Sequence, residues 1–135
     1  MNVLNLILKQ KYFDSIMAGQ KVQEFREVKP TTYKKLVQLD ENGCIARDEN
    51  GNSFAIKYDA IRFYVGYNKD RDSALVEVTD AYTELFVDEN NNVVSYDIID
   101  PRTKQPDIWY AEQVVFCLGK ILETDIKPQN KQRKV

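Results

Sequence analysis

The chain has 135 residues, of which 43% are hydrophobic and 30% charged, a composition typical of a soluble domain with a single core. Its formal net charge of −2 and the absence of histidine argue against a generally basic nucleic-acid binder and exclude imidazole catalysis. Because no apolar run is long enough to span a bilayer and residues 1–10 lack the features of a secretion signal, we expect a cytoplasmic protein with no membrane partner.

The first part of the chain predicts a strand, a short helix and a second strand. Residues 3–8 are rich in Leu, Ile and Val and predict a buried strand. Residues 10–18 place apolar side chains at helical spacing, which predicts a helix of about two turns. Residues 22–28 then alternate as a strand does, which puts Glu24 and Arg26 on the same face.

The remainder of the chain is rich in β signals. A short helix containing Tyr33 is expected after Pro30. Trp109 and Tyr110 are expected to begin a turn or helix, and Gly119 to end the last strand. Trp109 is interpreted as a core or barrel-lid residue in preference to a base-stacking platform. Strands are predicted at 44–47, 53–58, 60–67, 74–86, 93–99 and 114–118.

These elements predict an α+β fold in one domain. Seven or eight short strands with two small helices favour a closed or nearly closed β-barrel over a parallel sheet. The domain is expected to span 1–126. The segment 127–135 holds four basic and no acidic residues and is expected to be a disordered tail, with contact to phosphates or an acidic partner as the alternative.

No metal or cofactor is expected. Cys44 and Cys117 lie far apart in the sequence, with neither a second cysteine nor a histidine at the spacing of a zinc site. Both are interpreted as small apolar residues within strands.

The segment Gly19–Arg26 combines a glycine turn with three charged side chains. Lys21 offers a point charge for phosphate, or a base or nucleophile. Glu24 can accept a hydrogen bond from an exocyclic amine, and Arg26 presents a planar set of donors. Three interpretations stay open: ligand contact, catalysis, and a structural ion pair between Glu24 and Arg26.

A second cluster mixes aromatic and basic side chains. Aromatic rings beside cations suit stacking and phosphate contact with single-stranded RNA. Asp70 and Asp72 nearly cancel the local positive charge, so a solvated strand face is the alternative. The cluster consists of Arg62, Tyr64, Tyr67, Lys69 and Arg71.

Together, these segments resemble the ASCH family of the PUA-like superfamily. The resemblance rests on a strand, a short helix and Gly19-x-Lys21-x-x-Glu24-x-Arg26, followed by the segments 63–67, 74–78 and 116–122. It implies a small, mostly antiparallel PUA-like β-barrel with two or more short helices. It also implies a cleft beside the first helix that is lined by the Lys-Glu-Arg signature.

The resemblance further implies RNA binding or modified-nucleoside chemistry. Some ASCH relatives are amidohydrolases that remove the acetyl group of N4-acetylcytidine with a Lys, a Thr and a Glu, and others are linked to ribonuclease activity. Lys21 matches that Lys, whereas Glu24 stands where those enzymes have the Thr.

The expected function is therefore binding of RNA or of a nucleoside-like ligand. In the first alternative, a small amidohydrolase or ribonuclease, Lys21 and Glu24 are the catalytic residues. The second alternative is a protein-interaction domain whose charged signature is structural. The expected ligand-binding residues are Gly19, Lys21, Glu24, Arg26, Tyr67, Lys69 and Arg71.

Overall fold

The structure is a computed structural model that describes residues 1–128. Five strands form one mixed sheet in the order β1-β3-β4-β7-β2, and β5 and β6 form a separate two-stranded sheet. A 3₁₀ turn, Tyr33–Lys35, follows β2. The elements are β1 (Val3–Leu8), α1 (Gln10–Met17), β2 (Gln23–Glu27), β3 (Ala60–Val65), β4 (Ser73–Leu85), β5 (Ser95–Ile99), β6 (Pro106–Tyr110) and β7 (Glu112–Asp125).

The chain divides into two compact units. The first unit contains Met1–Glu24, Lys57–Asp80 and the chain from Phe116 onward. The second unit contains Phe25–Ile56 and Ala81–Val115. The strands β2, β4 and β7 each contribute residues to both units.

The first unit is built on three neighbouring strands and α1. β1 pairs in parallel with β3, and β3 pairs antiparallel with β4, so that Phe63 lies opposite both Leu6 and Ala74. The strand predicted at 3–8 is present as β1, and period-two alternation along it buries every second side chain. The amphipathic helix α1 buries Phe13 and Ile16. The core of the first unit includes Leu4, Leu6, Leu8, Phe13, Ile16, Ile61, Phe63, Ala74, Val76 and Phe116.

Gly19 ends α1, as the sequence predicts. Its φ is +74°, and its N–H donates to the carbonyl of Ile16 at 3.0 Å. We expect Gly19→Ala to lower the free energy of unfolding by about 1 kcal/mol, because a Cβ strains the left-handed backbone. Gly19→Asn should cost less, because asparagine tolerates this conformation. Urea unfolding measures both changes, and equal costs for the two variants would contradict the conformational explanation.

The second unit contains the small sheet of β5 and β6. In this antiparallel pair, Tyr96 lies opposite Trp109. The Trp109 indole N–H donates to the carbonyl of Val28 at 2.9 Å, and its ring meets Tyr33 edge-on with centroids 5.6 Å apart. These contacts hold the indole in one orientation. The core of the second unit includes Val28, Leu36, Val37, Ala55, Ala81, Val114 and Val115.

The predicted PUA-like β-barrel is wrong. The five-stranded sheet is open, because its outer strands β1 and β2 do not pair with each other. The sheet is also mixed, since β1 joins β3 in parallel while β3 joins β4 antiparallel. Within residues 1–128, α1 is the one α-helix, and the predicted second helix is reduced to the 3₁₀ turn.

Several predicted local boundaries also differ from the structure. Trp109 and Tyr110 lie in β6, where pairing with β5 makes them extended. Gly119 does not end β7, which continues to Asp125. The predicted strands 44–47 and 53–58 are reduced to isolated bridges such as Arg47 with Ser53.

Most of the predicted tail, 127–135, lies outside the described residues. At its beginning, the backbone N–H of Lys127 donates to the buried Asp72 at 3.0 Å. The Lys127 ammonium lies 3.0 Å from the carboxylate of Asp125.

Candidate functional site

A cavity of about 310 Å³ lies in the first unit at the C-terminal end of α1. Its walls come from the end of α1, the turn that follows, β4 and β7, and they are mostly apolar. Lys21 is the one charged residue of this lining. The other lining residues are Ile16, Met17, Ala18, Gly19, Val22, Val76, Leu118, Gly119 and Ile121.

An ion pair positions the Lys21 ammonium. Its Nζ lies 3.2 Å from Oε1 of Glu24, whose residue is only 5% exposed. Burial of a carboxylate is costly without a partner, so the pair restrains both side chains. The turn at Gly19 brings Lys21 back to the helix, where its N–H donates to the carbonyl of Ser15 at 3.1 Å. The ammonium also lies 5.9 Å from the ring centroid of Tyr12.

Gly119, which β7 contributes to the cavity lining, has no room for a side chain. A Cβ at this position would collide with Oε1 of Glu77 and approach Cγ2 of Thr79 to 2.8 Å. The same Glu77 oxygen accepts a hydrogen bond from the N–H of Lys120 at 3.3 Å. Gly119 was not among the site residues expected from the sequence, although a glycine inside a strand often marks a place where other atoms approach the backbone closely.

The structure brings together three of the predicted site residues. Gly19 and Lys21 line the cavity beside α1, and Glu24 holds the Lys21 ammonium. Arg26 lies two positions further along β2, is half-buried and belongs to the second unit. The site that we describe in the first unit therefore contains the glycine, the lysine and the glutamate of the signature.

The predicted residues of the second cluster do not line this cavity. Tyr67 is 84% exposed, and Lys69 is also exposed. The Arg71 guanidinium lies 4.0 Å from the ring centroid of Tyr64 and donates to the carbonyl of Gly66 at 3.0 Å. Arg71 therefore stabilises its own loop by a cation–π contact and a backbone hydrogen bond.

The described part of the chain, 1–128, contains no group of three or more side chains arranged to hold a metal ion. None of the helices there combines the length and apolar character needed to cross a bilayer. Comparisons of this chain with protein-family models, curated proteins and solved structures find no match. The ASCH resemblance therefore rests on the residues quoted above.

Proposed function

We propose that the protein binds a nucleoside, either free or within an unpaired stretch of RNA, in the cavity beside α1. The observation that carries the proposal is the Lys21 ammonium, which the buried Glu24 holds at an otherwise mostly apolar cavity. The resemblance to the ASCH family suggests the same class of ligand. A cytoplasmic location, expected from the sequence, belongs to the same proposal.

The size and the walls of the cavity suit a single nucleoside. A volume of about 310 Å³ is at the lower end for small-molecule sites, so it fits one base better than a helical duplex. Apolar side chains such as Met17, Val76 and Leu118 can cover the faces of a base. The Lys21 ammonium is a hydrogen-bond donor of fixed position in this cavity. It can orient the ligand, because a base carbonyl or a phosphate oxygen can accept its hydrogen bond.

The ion pair favours a binding role for Lys21 over a nucleophilic role. As the ammonium partner of Glu24, Lys21 has no free lone pair with which to attack an acyl group. The residue at the position of the amidohydrolase Thr is the same Glu24. We therefore propose that the two side chains act together as a donor of fixed position.

Methionine NMR tests this proposal at the cavity itself. The chain has two methionines; Met17 lines the cavity, and Met1 is 82% exposed and serves as the internal reference. We expect cytidine, N4-acetylcytidine or a short single-stranded RNA to shift the Met17 methyl resonance and leave that of Met1 in place. We expect Lys21→Gln to weaken binding about tenfold, the loss of one charge-assisted hydrogen bond.

The matched control is Lys11→Gln. Lys11 is exposed on α1, and its ammonium lies 4.9 Å from the same Tyr12 ring, but it does not line the cavity. This variant should bind within about twofold of the parent. The proposal is refuted if neither a nucleoside nor RNA shifts the Met17 resonance. It is also refuted if Lys21→Gln and Lys11→Gln change the binding affinity equally. Equal affinity for cytidine and RNA would identify the nucleoside as the recognised unit.

A further inference from the structure

A second cavity, of about 270 Å³, lies in the second unit. It shares no lining residue with the cavity beside α1. Its lining contains three aromatic residues, Tyr33, Trp109 and Tyr110. It also contains three cations and two carboxylates. These charged residues are Lys34, Arg47, Arg102, Asp100 and Asp107.

The aromatic side chains are held in place before any ligand arrives. Trp109 is positioned by its hydrogen bond to Val28 and by the edge of Tyr33. The ring of Tyr110 is 5.6 Å from the Arg47 guanidinium, and Tyr110 is 45% exposed. Aromatic groups that are already ordered lose little entropy when a planar ligand contacts them. This part of the cavity therefore suits an aromatic base.

The two arginines of the cavity already have partners. Arg47 donates to the buried Glu112 at 2.8 Å. Arg102 donates to the carbonyl of Gly43 at 3.2 Å, and its guanidinium lies 3.6 Å from Asp100. The backbone N–H of Arg102 holds the pKa of Asp100 below its usual value. Neither arginine is thus the obvious contact for an anion.

Lys34 and Asp107 are the charged groups that remain for a ligand. Lys34 is exposed, and no carboxylate of the described residues lies within salt-bridge distance of its ammonium. Its Nζ lies 6.0 Å from the ring centroid of Tyr33. Oδ1 of Asp107 accepts a hydrogen bond from the N–H of Ile108 at 2.7 Å. Oδ2 of the same carboxylate can therefore accept a hydrogen bond from a ligand. An ammonium suits a phosphate, and a carboxylate suits an exocyclic amine.

We propose that this cavity binds a nucleotide whose base carries an exocyclic amine, with the base against Trp109 and Tyr110. Lys34 contacts the phosphate, and Asp107 accepts from the amine. The cavity volume of about 270 Å³ can hold one base.

The intrinsic fluorescence of Trp109, the only tryptophan in the chain, reports on this cavity alone. We expect cytidine 5′-monophosphate to change the emission of the 135-residue chain in a saturable manner. Uridine 5′-monophosphate lacks the amine and should bind about tenfold more weakly. Cytidine lacks the phosphate and should also bind about tenfold more weakly.

Single substitutions assign the two polar contacts. Lys34→Gln should reduce the affinity for cytidine monophosphate to that for cytidine and leave cytidine binding unchanged. Asp107→Ala should abolish the preference for cytidine monophosphate over uridine monophosphate. Lys35→Gln is the matched control, because Lys35 is also exposed but does not line this cavity. If Lys34→Gln and Lys35→Gln behave alike, the phosphate contact is refuted.

Thiol labelling gives a second readout of occupancy. Cys44 is exposed and lines the cavity, whereas the less exposed Cys117 does not. Bound cytidine monophosphate should slow the alkylation of Cys44, with that of Cys117 as the internal reference. No change in either Trp109 emission or Cys44 alkylation at millimolar nucleotide would overturn the proposal. A short oligonucleotide that binds far more tightly than the mononucleotide would identify RNA as the source of the base.

The two proposed sites can fail independently. Lys21→Gln should leave the Trp109 response to cytidine monophosphate unchanged, and Lys34→Gln should leave the Met17 response unchanged. Loss of the Trp109 response in Lys21→Gln would refute the independence of this cavity. A Met17 response without any Trp109 response would support the cavity beside α1 alone.

Discussion

Replacing Arg47 with methionine is expected to lower the free energy of unfolding by about 3 kcal/mol, because it leaves a buried carboxylate without its guanidinium. The side chain of Glu112 is 1% exposed, and that of Arg47 is 24% exposed. Two nitrogens of Arg47 reach the Glu112 carboxylate, at 2.8 and 3.5 Å. Arg47 also donates to the carbonyl of Gly51 at 3.0 Å, within the turn that the bridge between Arg47 and Ser53 closes. Urea unfolding measures the loss.

The reciprocal substitution provides the control. Glu112→Gln removes the charge of this side chain but keeps its shape, and water can then solvate the partly exposed Arg47. This variant should therefore lose about half as much free energy of unfolding as Arg47→Met. The double variant Arg47→Met with Glu112→Leu should recover most of the stability. An Arg47→Met variant as stable as the parent at neutral pH would contradict this role for the pair.

Phe63→Ala is expected to cost about 4 kcal/mol, because it removes a fully buried ring and leaves a cavity. Phe63 has 0% exposure and lies in the middle of β3, opposite Leu6 on one side and Ala74 on the other. With strands paired on both sides, the surroundings have little freedom to collapse into the space. Since domains of this size have a total stability of about 5–15 kcal/mol, the variant loses much of its margin. Thermal and urea unfolding both measure this loss.

Phe54→Ala is the matched control for the same change of side chain. Phe54 is 44% exposed, so its truncation should cost about 0.5 kcal/mol. The contrast between the two variants isolates burial as the cause. Similar losses in both would mean that the interior of the first unit is not where the structure places it.

The local structure near the N-terminus was predictable from the sequence. The alternation of β1, the helical spacing of α1 and the glycine that ends it each depend on neighbouring residues. The proximity of Gly19, Lys21 and Glu24 follows from the same short-range geometry. An ion pair three residues apart around a turn needs no distant partner to form.

The rest of the cavity beside α1 was not predictable in this way. Val76, Leu118, Gly119 and Ile121 reach it only because β4 and β7 lie beside each other in the sheet. Strand order depends on pairings between segments far apart in the sequence, and period-two patterns do not specify which partner a strand takes. The Lys21–Glu24 ion pair, by contrast, depends only on neighbouring residues, although the pair considered from the sequence was between Glu24 and Arg26 instead.

The interpretation of Trp109 shows the same limit. A turn or helix was the expectation, but pairing with β5 makes the segment a strand, and the indole lines a cavity with Tyr110 and Lys34. By itself, the sequence determined the secondary structure of the N-terminal segment and the charged signature at its turn, because these arise from contacts within a few residues. Only the tertiary structure decided that the sheet is open and which distant side chains meet around each cavity. Those outcomes depend on long-range strand pairing, which no local pattern of side chains encodes.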